Sequence, residues 1–248
     1  MQVRLERKAL PADCPPHLLL RFESNGSHRH SRVAPLIPFR GRVAPLTTSL
    51  PPADARVALR RELRARRRAI QGRDRILAAR RVARLVDGAL WLRPGRRIGL
   101  YLAMPEELDT APLLEIAQRR GCVIAVPRIV SSRHGRMHFF DLDGSIAPGA
   151  FGIREPGGNR MRSARELDIV FMPLVGFDAA GHRIGMGKGF YDRRFAHRVR
   201  LRHWRRPLLV GLAYDAQEVP SLPHADHDVP LDAIVTESTV RRMPRSLP

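Results

Sequence analysis

Between Asp168 and Asp192 the chain reads DIVFMPLVGFDAAGHRIGMGKGFYD. Within it Gly185, Gly187 and Gly189 alternate with Met186 and Lys188. Three positions without side chains let backbone N–H groups close on an anion, and a helix starting just after turns its positive end to the same place. Arg183 supplies a guanidinium that can pair two phosphate oxygens at once, and Lys188 supplies a compact charge. Of 44 basic residues only Lys8 and Lys188 are lysine, so the residue type stands out in an arginine-using chain. The same spacing also makes a tight structural turn; Lys188 tips the reading toward phosphate. Two common phosphate motifs do not match. A dinucleotide loop needs Gly where Phe190 stands, and a Walker A needs Gly at His182 and Ser or Thr at Gly189.

The elements that must hold this loop come next. An apolar run over Leu167–Pro173 predicts the strand before it, and Phe190–Val199 predicts the helix after it. Further strands are expected at Arg97–Ala103, Cys122–Val126, Met137–Asp141, Leu208–Ala213 and Ala233–Thr236, with a helix at Thr110–Arg120. Two more helices precede them. Asp54 is expected to cap the first, with Leu59, Leu63 and Ile70 inward and Gly72 as its break; Asp74 is expected to cap the second, with Ile76, Ala79, Ala83, Val86 and Leu90 in one stripe. Short apolar strands separated by helices predict an α/β fold, a three-layer αβα sandwich around a mostly parallel sheet. Cys122, Trp91, Phe139 and Phe140 read as packing residues.

Residues 1–50 hold six prolines and no sustained period, and are expected to form a disordered extension ahead of a catalytic domain over 51–248. An Arg-rich transit peptide and a start codon assigned too early are both open readings. A shorter product would need a non-ATG start near Leu46 or Leu50, because the next Met after Met1 is Met104.

The chain has 248 residues and a formal net charge of +20. Residues 56–93 carry 13 basic against 3 acidic side chains, and residues 193–206 carry 7 against none. The excess is therefore local, and it invites polyanions without any zinc-finger, RNP, KH or helix-turn-helix signature, so nucleic acid is expected to bind at most non-specifically. Two cysteines, Cys14 and Cys122, exclude a disulfide scaffold and a Cys-rich zinc site. No apolar run reaches the length of a membrane span, and no secretory leader is visible, so a cytoplasmic setting is expected. No Gly-x-Ser-x-Gly elbow, His-Glu-x-x-His or Cys–His pairing is present. His224, Asp226 and His227 around Asp228 could suggest zinc, but an exposed polar turn explains the same residues and is the reading taken.

The wider string PLVGFDAAGHRIGMGKGFYDR resembles the signature of the 5-formyltetrahydrofolate cyclo-ligase (methenyltetrahydrofolate synthetase) family. ALRRELRARRRAI, YLAMPEELDT, FGIREP and VGLAYDAQEVPSLPHADHDVPLDAIVT resemble further family segments in the same order, so the resemblance spans about residues 55–240. It implies ATP- and Mg²⁺-dependent closure of 5-formyltetrahydrofolate to 5,10-methenyltetrahydrofolate, with release of ADP and phosphate, by a monomer. By position it implies ATP contacts from Arg56, Arg60, Arg183, Gly185, Gly187, Lys188, Gly189, Phe190 and Tyr191. Folate would meet Leu102, Glu107, Phe151, Gly187, Lys188, Gly189 and Tyr191. Arg183, Lys188 and Tyr191 would carry catalysis, and Asp192 and Asp228 would hold Mg²⁺, a hard cation that shares carboxylates with phosphates. Arg56 departs from the family's usual Lys. Glu155 reads equally as a residue that fixes a loop. The rival from another class is a basic nucleic-acid-binding protein on the same scaffold without catalysis.

Overall fold

Alternate residues of one strand divide the hydrophobic interior in two. In the computed structural model, β7 (Ile169–Pro173) sends Ile169 and Phe171 into one core and Val170 and Met172 into the other. Strand side chains alternate between faces, so a strand apolar at every position must be covered on both sides. Each of these four side chains is at most 2 % exposed, a burial worth roughly 1.5–3 kcal/mol apiece. β10 (Leu208–Leu212) and β11 (Ala233–Val235) divide the same way: Val210, Leu212, Ala233 and Val235 face one core, Leu209 and Ile234 the other. Described residues are 53–144, 146–149, 154–158, 160–201 and 206–243, all within a compact unit running Thr48–Pro248. The expected extension over 1–50, with Cys14, and Phe151 lie outside them.

The sheet has eight strands in the order β12-β11-β10-β7-β1-β2-β3-β6. β1 (Arg97–Leu100) pairs in parallel with β2 (Val123–Ser131) and with β7, and β10 pairs in parallel with β7 and β11. Antiparallel partners close both sides: β3 (Arg136–Asp141) and β6 (Met161–Arg162) at one, β12 (Val240–Arg242) at the other. A two-stranded piece, β4 (Ile146–Pro148) with β5 (Arg154–Pro156), stands apart. The hairpin of β8 (Gly176–Phe177) and β9 (Arg183–Ile184) follows β7.

Helices cover both faces, as expected for a three-layer sandwich. α2 (Gly72–Gly88) and α3 (Ala111–Arg119) bury Ala78, Val82, Ala83, Val86, Leu113 and Ala117 in the first core. α4 (Phe190–Arg200) buries Phe195 in the second. α1 (Ala53–Ala69) sets Leu63, fully buried, against Val175, Ile184, Val219 and Leu222. No helix among the described residues is long and apolar enough to cross a membrane.

Several expectations are corrected. Asp54 lies inside α1 rather than before it, and Gly72 opens α2 rather than merely ending α1. Gln71 takes the N-cap position, and Asp74 sits in the first turn, where its charge favours the helix dipole. Ile76 and Leu90 are exposed, so the buried stripe of α2 is alanine and valine rather than the larger residues at its ends. The strand expected at Arg97–Ala103 leaves the sheet after Leu100, because Tyr101 and Leu102 turn into the loop that carries Glu107. β4, β5, β6, β8, β9 and β12, of two or three residues each, are too short for any period to reveal, whereas the equally short β11 shows as an apolar run.

From β1 the chain builds outward to β2, β3 and β6, then returns to the other side of β1 for β7, β10, β11 and β12. The strand order therefore reverses between β1 and β7. In open α/β sheets that reversal leaves a crevice beyond the strand ends where ligands bind. The loop after β1 carries Glu107, and the loop after β7 carries Arg183 and the glycines.

Candidate active site

The glycine loop is shaped by backbone angles that favour glycine. Gly187 has φ +92° and Gly189 φ +63°, the latter as the N-cap of α4. Gly185 is half-buried, while Met186, Gly187 and Lys188 reach solvent. The loop is gripped from two directions. Arg60 Nε, from α1, donates to the Gly185 carbonyl at 3.1 Å. From α4, Arg193 donates to the Lys188 carbonyl through Nη2 and to Gly135 through Nε at 3.0 Å. A groove of about 240 Å³ between α1 and the loop is lined by Val57, Arg60, Arg61, Arg64, Arg68 and Met186, a cationic wall suited to a polyphosphate.

Two arginine–aspartate pairs meet below the loop. Arg183, 8 % exposed, donates through Nη2 to Asp192 Oδ1 at 2.6 Å. Arg56 donates through Nη2 to Asp228 Oδ2 at 3.1 Å. Backbone ties join the pairs: Val229 N–H donates to Asp192 Oδ1 at 3.2 Å, and Ala225 N–H to Asp228 Oδ2 at 2.9 Å. Among the described residues, the hydrogen bonds to each aspartate fall on one oxygen. The donor set left over, one carboxylate oxygen from each aspartate with the His227 ring 3.8 Å from that of Asp228, fits a hard divalent cation that takes its remaining ligands from phosphates and water. Among the described residues, the buried Nε atoms of Arg56 and Arg183, like those of Arg64, Arg67 and Arg194, have no hydrogen-bond partner, and such donors can take an acceptor from outside the protein. Burial, then the neighbouring charge of Arg56, lowers the pKa of Arg60, and Asp228 opposes the shift.

The loop after β1 separates two adjacent acids. Glu106 faces outward, reached by Arg64, Arg67 and Arg68 of α1 at 3.3–3.4 Å. Glu107 faces inward, 7 % exposed, and accepts the Met104 N–H at 3.1 Å. Burial pushes its carboxyl above the ordinary range, against the Met104 hydrogen bond and the charge of Arg67. Arg75 of α2 holds the loop by donating to the Glu107 carbonyl at 2.7 Å. Tyr191, half-buried in the first turn of α4, lies within electrostatic reach of both Glu107 and Arg183. Burial, reinforced by Glu107, drives its phenol well up, so it stays a neutral hydroxyl that can donate, accept or pack.

The structure thus brings Arg56, Arg60, Arg183, Gly185, Gly187, Asp192 and Asp228 into one network, with Tyr191 and Glu107 beside it. Leu102, 6 % exposed, belongs to the first core, and Phe190 packs half-buried on the second. The Lys188 side chain is exposed at the loop tip. Glu155 fixes a strand, accepting the Ile129 N–H at 3.1 Å. Among the described residues no group of three or more His, Cys, Asp or Glu side chains is arranged to hold a metal.

Sequence reasoning missed three residues. Arg67 and Arg193 carry no signal in an arginine-rich chain. Asp178 does: an acid before Ala-Ala-Gly is a turn former. It is 2 % exposed and accepts N–H groups from Ala180, His182 and Leu222 and the His182 ring, each at 3.0 Å.

Comparison with known proteins gives one consistent result. A family model described as the 5-formyltetrahydrofolate cyclo-ligase family matches residues 52–237. The 5-formyltetrahydrofolate cyclo-ligase of Mus musculus is 28 % identical over 193 residues, covering 75 % of this chain and 95 % of the relative. That of Escherichia coli K12 is 34 % identical over 149 residues, covering 58 % and 79 %. The NMR structure of the Aquifex aeolicus 5,10-methenyltetrahydrofolate synthetase superposes with a TM-score of 0.64 at 27 % identity, over 78 % of this chain and 96 % of that one.

Proposed function

The chain belongs to the 5-formyltetrahydrofolate cyclo-ligase family, a family of ligases, and from that membership we propose that it closes 5-formyltetrahydrofolate to 5,10-methenyltetrahydrofolate with ATP and Mg²⁺, releasing ADP and phosphate. The observation that supports the nucleotide part is the meeting of the Arg56–Asp228 and Arg183–Asp192 pairs under a glycine loop with positive φ at two positions.

A formamide oxygen is a poor leaving group. In this reading it attacks the γ-phosphorus of ATP, the bond to the β-phosphate oxygen breaks, and ADP departs. The second folate nitrogen then attacks the activated formyl carbon and gives up its proton to solvent or to the departing phosphate, and the oxygen leaves as part of inorganic phosphate. Arg56, Arg60 and Arg183 bind and orient the phosphates, aided by the N–H groups of residues 185–189 and by the N-terminus of α4. Lys188, on the exposed loop tip, reaches the γ-phosphate once nucleotide is bound, and Phe190 seats the loop on the second core. Asp192 and Asp228 would hold Mg²⁺, which when bound neutralises charge developing on the phosphates. Glu107 recognises adjacent N–H and amino groups of the pterin, Leu102 lines that end of the site, and Tyr191 packs between folate and nucleotide. The chain works as a monomer.

The direct test mixes purified protein with 5-formyltetrahydrofolate, ATP and Mg²⁺ and follows the methenyl product by absorbance. Product formation that stops when ATP is omitted, or when EDTA is added, is expected. Equal rates without ATP would overturn the reading.

A further inference from the structure

The rings of His182 and His224 stack, with centroids 3.7 Å apart and planes inclined by 8°. They join two segments on which the site depends. His182 immediately precedes Arg183. His224 immediately precedes Ala225, whose N–H holds the Asp228 carboxylate. Both histidines refer to the same buried anchor. His182 bonds Asp178 through its ring and its backbone, and Leu222, two residues before His224, donates its N–H to the same carboxylate.

Between Leu222 and Val229 the chain has neither helix nor strand to define its path. Its ends are buried, but His224, Asp226 and His227 are exposed. Arg56 cannot supply the missing order, because its ion pair with Asp228 is a contact that bound phosphate would compete for. The stacked ring is a restraint that phosphate leaves in place.

We propose that His224 is a positioning residue, whose ring lies on His182 to hold the 222–228 turn so that Asp228 is presented toward nucleotide-bound Mg²⁺. This rests on the reading of Asp228 given above. An aromatic stack is strong enough to bias a loop by roughly 3- to 10-fold.

The test is calorimetric titration of Mg²⁺·ATP into the full chain without folate, on wild type, His224→Ala, His224→Phe and Asp228→Asn. His224→Ala should bind about 3- to 10-fold more weakly, and His224→Phe, which keeps a flat ring, should recover to within about twofold of wild type. In steady-state assays the alanine loss should appear in half-saturating Mg²⁺·ATP rather than in turnover at saturation. Wild-type affinity in His224→Ala, or equal losses in Ala and Phe, would overturn the proposal. Asp228→Asn separates the two ideas. If it binds like wild type, Asp228 has no metal role and the stack has nothing to position. If it is impaired while His224→Ala is not, only the stack proposal falls.

Discussion

The N–H of Val229 donates to Asp192 Oδ1 across 37 residues of sequence, and by doing so it sets Asp228 beside Asp192. Two acids on separate elements, one in the first turn of α4 and one in an irregular loop, are thereby tied directly by a backbone bond. Each is accompanied by an arginine.

Asp192→Asn keeps the size of the side chain and removes its charge. Arg183, buried and paired at 2.6 Å, then loses its counter-ion, a change that costs about 3 kcal/mol when the cation stays desolvated. Turnover is expected to fall on the order of 100-fold or more, and the thermal midpoint to drop. An activity near wild type in a destabilised variant would remove Asp192 from the metal site.

Glu107→Gln is expected to separate stability from activity. The native carboxyl has its pKa raised by burial, so the folded protein holds that proton to higher pH than the unfolded chain. Its contribution is favourable in acid and declines as pH rises through the ordinary carboxylate range to the native pKa. The glutamine variant should therefore be at least as stable as wild type at pH 7, with the difference vanishing in acid. For 5-formyltetrahydrofolate, kcat/KM should fall about 10- to 100-fold, the worth of a charged hydrogen bond. Denaturation at two pH values and a substrate titration measure both.

Asp178→Asn should show the opposite pH behaviour. Burial alone would raise the Asp178 pKa, but hydrogen bonds from His182 and Leu222 together hold it below the usual value. Its stabilisation is full at neutral pH and is lost as pH falls through that depressed value. Urea denaturation at pH 7 should reveal a loss of about 2–4 kcal/mol, since an amide cannot accept all four donors. The gap between wild type and variant should close only in acid below the ordinary aspartate range.

A chain beginning at Leu50 retains α1 and all of the residues matched by the family model. Its turnover is expected to lie within about twofold of the full chain, because every site contact described above comes from residues it keeps. A large loss would assign residues 1–49 a part in the chemistry.

Much of this architecture is legible in sequence, for physical reasons. Leu167–Pro173 reads as a strand because burial on both faces demands an uninterrupted apolar run. The edge pieces β4, β6, β8, β9 and β12 are too short to express a period, and tertiary pairing alone defines them. At the site, residue type identifies Gly185, Gly187, Lys188 and Asp192. It cannot say which arginine turns inward: Arg67 is 3 % exposed and Arg66, its neighbour in α1, is largely solvated. That choice is made by the packing of Leu63 and the rotation it imposes on the helix.

The arginine–aspartate pairs make the unliganded site a self-neutralised one. In solution a polyphosphate must strip water from each cation it approaches. Here Arg56 and Arg183 have already surrendered most of theirs to the aspartates during folding. In the proposed reaction an incoming nucleotide with its metal would trade places with these contacts: guanidinium would turn from carboxylate to phosphate, and carboxylate from guanidinium to metal. The number of charge contacts would be preserved through that swap, leaving little rearrangement of solvent for the proposed phosphoryl transfer.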